Sequence, residues 1–486
     1  MMHTEDRERE KQQRYKSSRK HNTAGAMSNT ARITAMPFSR LRSQARACAE
    51  IVEYCLCRSL LGGNAADRSL RQAFYANRQL GARDRRLISE TLFGVLRWWG
   101  WLRLLAPSAF VQALHNRQDN LPEGLQLDWS RVLLGAWLLE AAEQAPVAVQ
   151  IWAEQIELDL QQLKFAEPNS NWEQKRLCLK ALFPPGKAPV LDRNMLLPDK
   201  VLAQLAPEEA VDPELLLQYL QTRAPLWFRA QVRNVPELCR QLAEQGVRVS
   251  VHAQMPQALR CQESSVNLQA LTGFRRGHFE VQDLASQNVA LICDPKPGQQ
   301  WWDACAGAGG KTLHLASLMR GKGSVIASDI RKFKLDELKL RARRAGFPNI
   351  RYKHWKGKEL PVWAGRFDGV LVDAPCTCSG TWRRNPGARW SSNTDINEFT
   401  TLQKQLLHSA APALKPGGIL VYATCSMFQA ENQDVVTDFL QRNPDFELSA
   451  FSCPLDGAAS DGMRQIWHWE GDCDAMFIAR LQRRKA

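Results

Sequence analysis

Apolar positions in the first half of the chain recur at helical spacing. Ala45, Ala49, Ile51, Val52, Cys55 and Leu56 fall on one face, and Asp84 to Arg97 repeats the period before Trp98, Trp99 and Trp101 close it. The pattern predicts helices throughout residues 38 to about 220, with Pro184-Pro185-Gly186 and Pro198 marking loops. It changes at Pro225. Leu226 to Val232 reads as a strand, Val235 to Gln245 as a helix ended by Gly246, and Val247 to Ala253 as a second strand. This is a small α+β module that continues to about Asp294. After Pro295-Lys296-Pro297-Gly298, strands expected over 299–305, 323–329, 349–355, 367–374 and 418–424 alternate with helices such as 331–345 and 397–414. Such alternation predicts an α/β, doubly wound, Rossmann-like sheet. The chain thus divides into a tail (1–36), a helical region (37–222), a small α+β module (223–294) and a Rossmann-like domain (295–486).

A chain of 486 residues exceeds one ordinary core, in keeping with that division. Its net charge of +14 favours a polyanionic partner, most simply nucleic acid. Residues 7–20 carry Arg7, Arg9, Lys11, Arg14, Lys16, Arg19 and Lys20, which reads as a disordered basic tail or, with Met27 and Met36 downstream, as an over-extended start. No signal-peptide pattern and no run of about 20 apolar residues is present, so no membrane association is expected. The 13 cysteines have no framework spacing and read as reduced thiols of a cytoplasmic protein. The pairs Cys55/Cys57 and Cys376/Cys378 lack a matching second pair or a nearby His, so no metal site is expected.

Three turns carry candidate chemistry. The first, Asp303-Ala304-Cys305-Ala306-Gly307-Ala308-Gly309-Gly310-Lys311-Thr312, leaves a strand and enters a helix. Its glycines permit a tight turn and close backbone approach, and the helix start offers free N–H groups. A phosphate-binding P-loop would need glycine where Cys305 stands. Asp329 closes the next strand, where an acid can hydrogen-bond ribose hydroxyls. The fourth strand ends in Asp373-Ala374-Pro375-Cys376 and the fifth in Thr424-Cys425-Ser426. Ligands of such sheets lie beyond the carboxyl ends of the strands, so Asp373, Cys376 and Cys425 face the same crevice as the glycine loop.

Two thiols beside a nucleotide-type loop suggest covalent chemistry on a bound base. Carbon 5 of cytosine is a poor nucleophile until a thiolate adds at carbon 6 and makes the ring enamine-like. A nearby acid can support protonation at N3, and a base then removes the carbon 5 proton as the thiol leaves. Cys48, Cys55, Cys57, Cys178, Cys239, Cys261, Cys293, Cys453 and Cys473 read as packing, Cys305 as a contributor of backbone to the loop, and Cys378 as ambiguous. The tryptophans at 98, 99 and 101 read as core rather than as base-stacking groups. Arg229, Arg233, Arg275, Arg276, Arg383, Arg384 and Arg389 surround the motifs as candidate phosphate contacts, with a solvated face the plainer alternative. The basic run of helix 331–345 reads as an exposed face.

From about residue 40 to the end, these motifs resemble the Nop/Sun family of RNA cytosine-5 methyltransferases, close to its RsmB type. Asp303 to Thr312 is similar to the family's Asp-x-Cys-Ala-x-Pro-Gly-Gly-Lys-Thr loop. Asp373 to Cys376 with Arg383-Arg384-Asn385-Pro386 is similar to its fourth motif, and Thr424-Cys425-Ser426 with Glu431-Asn432 to its sixth. Phe279 to Gln287 and Gly471 to Leu481 are similar to its entry segment and closing strand, and the stretch from Asp84 to Arg97 to the NusB-like helical domain of the RsmB type. The resemblance implies S-adenosylmethionine as cofactor and RNA, most simply ribosomal RNA, as partner. It implies Cys425 as nucleophile, Cys376 as the thiol that assists release, and Asp373 at cytosine N3 and the cofactor's methionine end. It further implies Asp329 on the ribose, and Cys305, Ala306, Gly307, Ala308, Gly309, Gly310 and Lys311 lining the cofactor. The chain departs from the pattern at Ala308, where the family has proline, at Thr377-Cys378 and Trp382, and at Trp355-Lys356-Gly357 in place of Gly-Asp-Gly. Lys356 then stands where an acid would contact adenosine, and cofactor binding is expected to be weaker or rearranged there, with Asp368 and Glu359 as substitutes. Two other functions stay open: a transfer-RNA methyltransferase, and an RNA-binding ribosome-assembly factor with little or no catalysis.

Overall fold

The computed structural model describes residues 38–485 apart from 123–124, 141–144, 168–169, 199–200, 202–203, 206–210, 264–265, 356–359 and 392–394. The expected basic tail over 1–36 lies outside the described residues.

The first region is helical, as its periodicity requires. Helix Ser130–Leu139 runs through its centre and is buried on every side except toward Arg131. Helices Phe38–Leu56 and Ala82–Arg97 pack around it through the apolar stripes of the sequence, including Ala45, Val52, Cys55, Leu92 and Val95. Trp98, Trp99 and Trp101 are all buried, so they build this core and present no face to a base. Arg97 and Glu140 form a buried ion pair at 2.6 Å that Arg223 joins at 3.1 Å. No helix among the described residues is long and apolar enough to cross a membrane.

The small module holds four strands where the sequence pattern indicated two. They are β1 (Trp227–Ala230), β2 (Val249–Val251), β3 (Ala258–Cys261) and β4 (Phe279–Val281), antiparallel in the order β2-β3-β1-β4. Strands of three or four residues are too short to show a period of their own. Helix Val235–Glu244 covers the sheet, its start capped by the Asn234 side chain accepting from the Glu237 N–H.

The third region is a mixed sheet. Its strands are β5 (Gln300–Asp303), β6 (Ser324–Asp329), β7 (Ile350–His354), β8 (Phe367–Asp373), β9 (Leu414–Thr424), β10 (Phe446–Leu448), β13 (Met463–Ile466) and β14 (Met476–Arg483). A separate two-stranded ribbon, β11 (Phe451–Ser452) and β12 (Ala459–Ser460), lies between. The order is β10-β14-β9-β8-β5-β6-β7, with β13 on β14. Strands β5 to β9 are parallel, as alternation predicts, whereas β14 runs antiparallel to β9. The chain moves outward from β5 through β6 to β7 and then returns to place β8 on the other side of β5. That reversal is a topological switch point, and a crevice opens there at the carboxyl ends of the strands.

The core of the helical region extends into loops of the sheet domain, whose strands pack in clusters of their own. Trp382, Phe428 and Trp467, from loops of the sheet domain, belong to the same buried cluster as the helical bundle. Trp390 Nε1 donates to the Leu96 carbonyl at 2.7 Å, and buried Arg389 donates to that of Arg97. The loop that follows Cys376 is therefore gripped from both sides.

Candidate active site

Three strands deliver a polar residue to the crevice: Asp329 from β6, Asp373 from β8 and Cys425 just beyond β9, while Asp303 ends β5 at the start of the glycine loop. The glycine loop turns from β5 into helix Gly310–Leu318 with Gly307 at φ +53° and Gly309 at φ +88°. A Cβ on Gly309 would lie 1.9 Å from Leu338, so this residue must be glycine for steric as well as conformational reasons. On Gly307 and Gly310 a Cβ would meet nothing nearer than 3.9 Å, which leaves a backbone cradle open. Ala308, where the resemblance expects proline, is restrained differently. Its carbonyl accepts from Arg341 at 2.7 Å, and Arg341 also pairs with the buried Glu280 of the small module. Arg341 and Arg344 thus turn inward to Glu280 from a helix whose basic residues read as an exposed face.

The acids have distinct surroundings. Asp303 is buried and accepts from the Thr312 hydroxyl at 2.6 Å; burial pushes its carboxyl up to about 7. Asp373 accepts from Lys311 Nζ at 2.8 Å. Burial raises the Asp373 carboxyl and the lysine's charge opposes it, leaving the group raised. Asp329 accepts from the Gly307 N–H at 2.9 Å and from the Arg331 side chain through both oxygens at 3.0 Å. Burial raises Asp329, but the Arg331 and Gly307 donors outweigh it and hold the carboxyl below its ordinary value. Arg331, two residues past the strand end, escaped the motif reading because the turn after Asp329 has no fixed partner spacing.

The two motif thiols meet. Cys376 Sγ lies 3.4 Å from Cys425 Sγ, and Cys378 Sγ joins them, all three sulfurs within 4.8 Å of one another. Hydrogen bonds from the Cys376 and Cys425 thiols hold Cys378 down to about 4. The Cys376 hydrogen bond lowers Cys425, but Cys378 and burial push it up to about 12. The trio takes one negative charge readily and resists a second. Glu431 ties the two loops together. Its buried carboxylate accepts from the Thr377 N–H at 2.9 Å, the Thr377 hydroxyl at 2.6 Å, Gln403 Nε2 at 2.9 Å and the Ser426 hydroxyl. The Gly380 N–H donates to the Cys425 carbonyl at 2.9 Å, closing the same junction.

Other expectations are relocated. Arg229, Arg383 and Arg389 are buried and hydrogen-bonded inside the protein, so they cannot hold phosphate; Arg384 pairs with Asp474. Arg233, Arg275 and Arg276 are exposed. Asp368 sits at the amino end of β8, accepting from Lys415 and the Gln300 N–H, and so lies at the wrong end of the sheet to replace the missing acid. Lys356 and Glu359 lie outside the described residues. Cys305 lines the crevice, whereas the nine cysteines read as packing do not.

The crevice is a cavity of about 1130 Å³. The cradle, Lys311, Asp329, Asp373 and all three thiols line it, with Trp355 and, from helix Ile396–Ala410, Phe399, Leu402 and Leu406 as an apolar wall. That helix carries no motif and was not legible as part of the site. The volume exceeds that of an ordinary small-molecule site and leaves room for a cofactor and a base together.

A family of 16S rRNA methyltransferases, RsmB/F, matches residues 290–482. Ribosomal RNA small subunit methyltransferase B of Klebsiella pneumoniae is 31% identical over 415 residues, 83% of this chain and 91% of that protein. This chain belongs to the RsmB/F methyltransferase family. The enzyme of the same name from Cronobacter sakazakii is 30% identical, over 82% of this chain and 90% of its own. The crystal structure of PH0851 superposes with a TM-score of 0.66 at 25% identity, covering 89% of this chain and 98% of that one. A methyltransferase homologue from Pyrococcus horikoshii gives 0.50 at 28%, covering 60% and 98%. The cofactor of this RsmB/F-family RNA methyltransferase is S-adenosylmethionine, and the site fits it. The open cradle at Gly307 and Gly310 admits a ligand to bare backbone, and acids stand at the strand ends where ribose hydroxyls and an amino group can be held.

Proposed function

We propose that this methyltransferase modifies carbon 5 of a cytosine in RNA, most simply ribosomal RNA, through a covalent thiol adduct. The observation that carries the reading is the pairing of Cys376 and Cys425 at 3.4 Å on the same cavity as the Lys311–Asp373 pair. When bound, S-adenosylmethionine supplies an electrophilic methyl group. The residues do the rest. Cys425, as thiolate, forms a bond to carbon 6, and its electron pair moves the ring's nucleophilic character to carbon 5. Asp373, raised toward its protonated form by burial, stands to donate to N3 as that bond forms. After methylation the carbon 5 proton goes to a base, the carbon 6–sulfur bond breaks as the ring double bond re-forms, the N3 proton returns to Asp373, and Cys376 assists that release. Asp329 holds the ribose, and Cys305 to Lys311 hold the remainder of the cofactor. The described helical and small α+β regions hold the RNA, with Arg233, Arg275 and Arg276 exposed to phosphate.

Paired variants test this. Cys425→Ala loses methyl transfer, and Cys376→Ala accumulates a denaturation-resistant protein–RNA adduct. Normal turnover by Cys425→Ala overturns the assignment. Bisulfite sequencing of cellular RNA with and without the gene identifies the nucleotide.

A second reading, an RNA-binding assembly factor with weak catalysis, is favoured by one contact: Arg331 covers both oxygens of Asp329, the carboxylate assigned to ribose. Calorimetry decides between them. Saturable S-adenosylmethionine binding supports the enzyme, and none at millimolar cofactor supports the factor.

A further inference from the structure

Cys378 has no task in the reaction above, yet its position is specific. It is the one exposed thiol among the thirteen, all of which are described. Its backbone is left-handed, φ +57° and ψ 27°, a conformation a residue with a Cβ seldom takes. The Thr381 N–H donates to its carbonyl at 2.9 Å and fixes this turn. The turn folds the chain back so that Cys378 Sγ comes within 4.8 Å of both catalytic-loop sulfurs.

We propose that Cys376, Cys378 and Cys425 form a three-thiolate site for a soft, thiophilic d¹⁰ metal ion, of which Zn²⁺ is the commonest example. With metal–sulfur bonds of about 2.3 Å, a tetrahedral or trigonal ion holds its sulfurs about 3.8–4.0 Å apart. The Cys376–Cys425 separation of 3.4 Å and the 4.8 Å limit of the trio bracket that spacing, so each pair changes by roughly an ångström or less. The donor set is all sulfur, which selects thiophilic ions over Mg²⁺ or Ca²⁺. The protons of the thiols leave to solvent as the sulfurs take the ion, and no electron transfer is involved. Glu431, the buried carboxylate that joins these loops, is fully engaged by Thr377, Ser426 and Gln403, and Asp373 on the same cavity is held by Lys311, so the fourth position is left to solvent or an exchangeable ligand. The scaffold is already built: Glu431 and the Gly380 N–H lock the two thiol-bearing loops together without any ion. Because the site takes Cys376 and Cys425 out of action, a bound ion also switches off methyl transfer; that consequence, unlike the binding itself, rests on the proposed chemistry.

The test uses the full-length reduced protein and Cd²⁺ as the probe, followed by its thiolate-to-metal charge-transfer absorbance. The expected result is one tight equivalent in the wild type. Cys378→Ser, Cys376→Ser and Cys425→Ser each weaken it by about tenfold or more, at least the loss seen when an outer partner of a metal ligand is removed. Cys378→Gly, which suits the left-handed turn, gives the same loss in a protein with an unchanged melting curve. Cys57→Ser, outside the trio and the cavity lining, leaves binding as in the wild type. X-ray absorption of the Zn²⁺-loaded protein shows three sulfurs at about 2.3 Å. Undiminished Cd²⁺ binding by both Cys378 variants overturns the proposal, as does loss of the band in Cys57→Ser. Tight Cd²⁺ binding without loss of methyl transfer keeps the site and instead overturns the roles assigned to Cys376 and Cys425.

Discussion

Lys311 Nζ stands 2.8 Å from Asp373 Oδ2, joining the glycine loop of β5 to the end of β8 across the switch point of the sheet. Both groups are largely withdrawn from solvent, and each faces the other's opposite charge. Burial, and after it Cys425, raises the Asp373 carboxyl, and Lys311 is what opposes them. Lys311→Met therefore shifts Asp373 further toward its neutral form and removes a charge-assisted hydrogen bond of about 1.5–3 kcal/mol. Cofactor affinity by calorimetry is expected to fall roughly tenfold to a hundredfold on that scale. An unchanged affinity would detach this pair from the cofactor end of the cavity.

Gly309 separates two effects that usually travel together. Gly309→Ala meets Leu338 and also strains a φ of +88°. Leu338→Ala removes the overlap but not the strain, which costs about 1–2 kcal/mol. The single Gly309→Ala variant should lose cofactor binding, and Gly309→Ala with Leu338→Ala should recover only part of it. Full recovery would mean that the loop's left-handed turn is not needed.

Arg341 stands in for the rigidity that a loop proline would supply. It links the Ala308 carbonyl to Glu280 of the small module. Arg341→Gln is expected to raise the dissociation constant for S-adenosylmethionine several-fold, about 0.5–1.5 kcal/mol, and to speed hydrogen exchange at residues 305–310. A change in affinity with unaltered exchange would point to charge rather than to loop order.

Asp303 makes stability depend on pH. Its folded value of about 7 lies above the ordinary 3.8, so the unfolded chain ionises first. The stability it contributes is complete below pH 3.8 and is lost as pH rises through about 7. Asp303→Asn keeps an acceptor for Thr312 and should flatten this part of the profile in denaturant melts across pH 4 to 8. Asp283, raised to about 7 by burial and Asp474, titrates in the same window, so the variant removes only a share of the slope.

What the sequence determined by itself was whatever depends on neighbours along the chain. Strand–helix alternation specifies the doubly wound sheet, since a parallel strand must be followed by a crossover. Strand ends specify which residues reach the crevice, so the glycine loop, Asp329, Asp373, Cys376 and Cys425 were legible as one site. The tertiary structure alone decided matters that depend on which distant surface each side chain meets. Arg383 and Arg389 look like phosphate contacts in the sequence, but the helical bundle closes over their loop and turns them into buried ties to Asp472 and Arg97. Arg341 looks like one more exposed base until Glu280 arrives from a module some sixty residues earlier. Cys378 is paired along the chain only with Cys376, and only the docking of β8 beside β9 brings its sulfur to Cys425. A local pattern records hydrophobic period and turn chemistry; burial and pairing of a charge or thiol are properties of the assembled surfaces, and a one-dimensional reading carries no term for them.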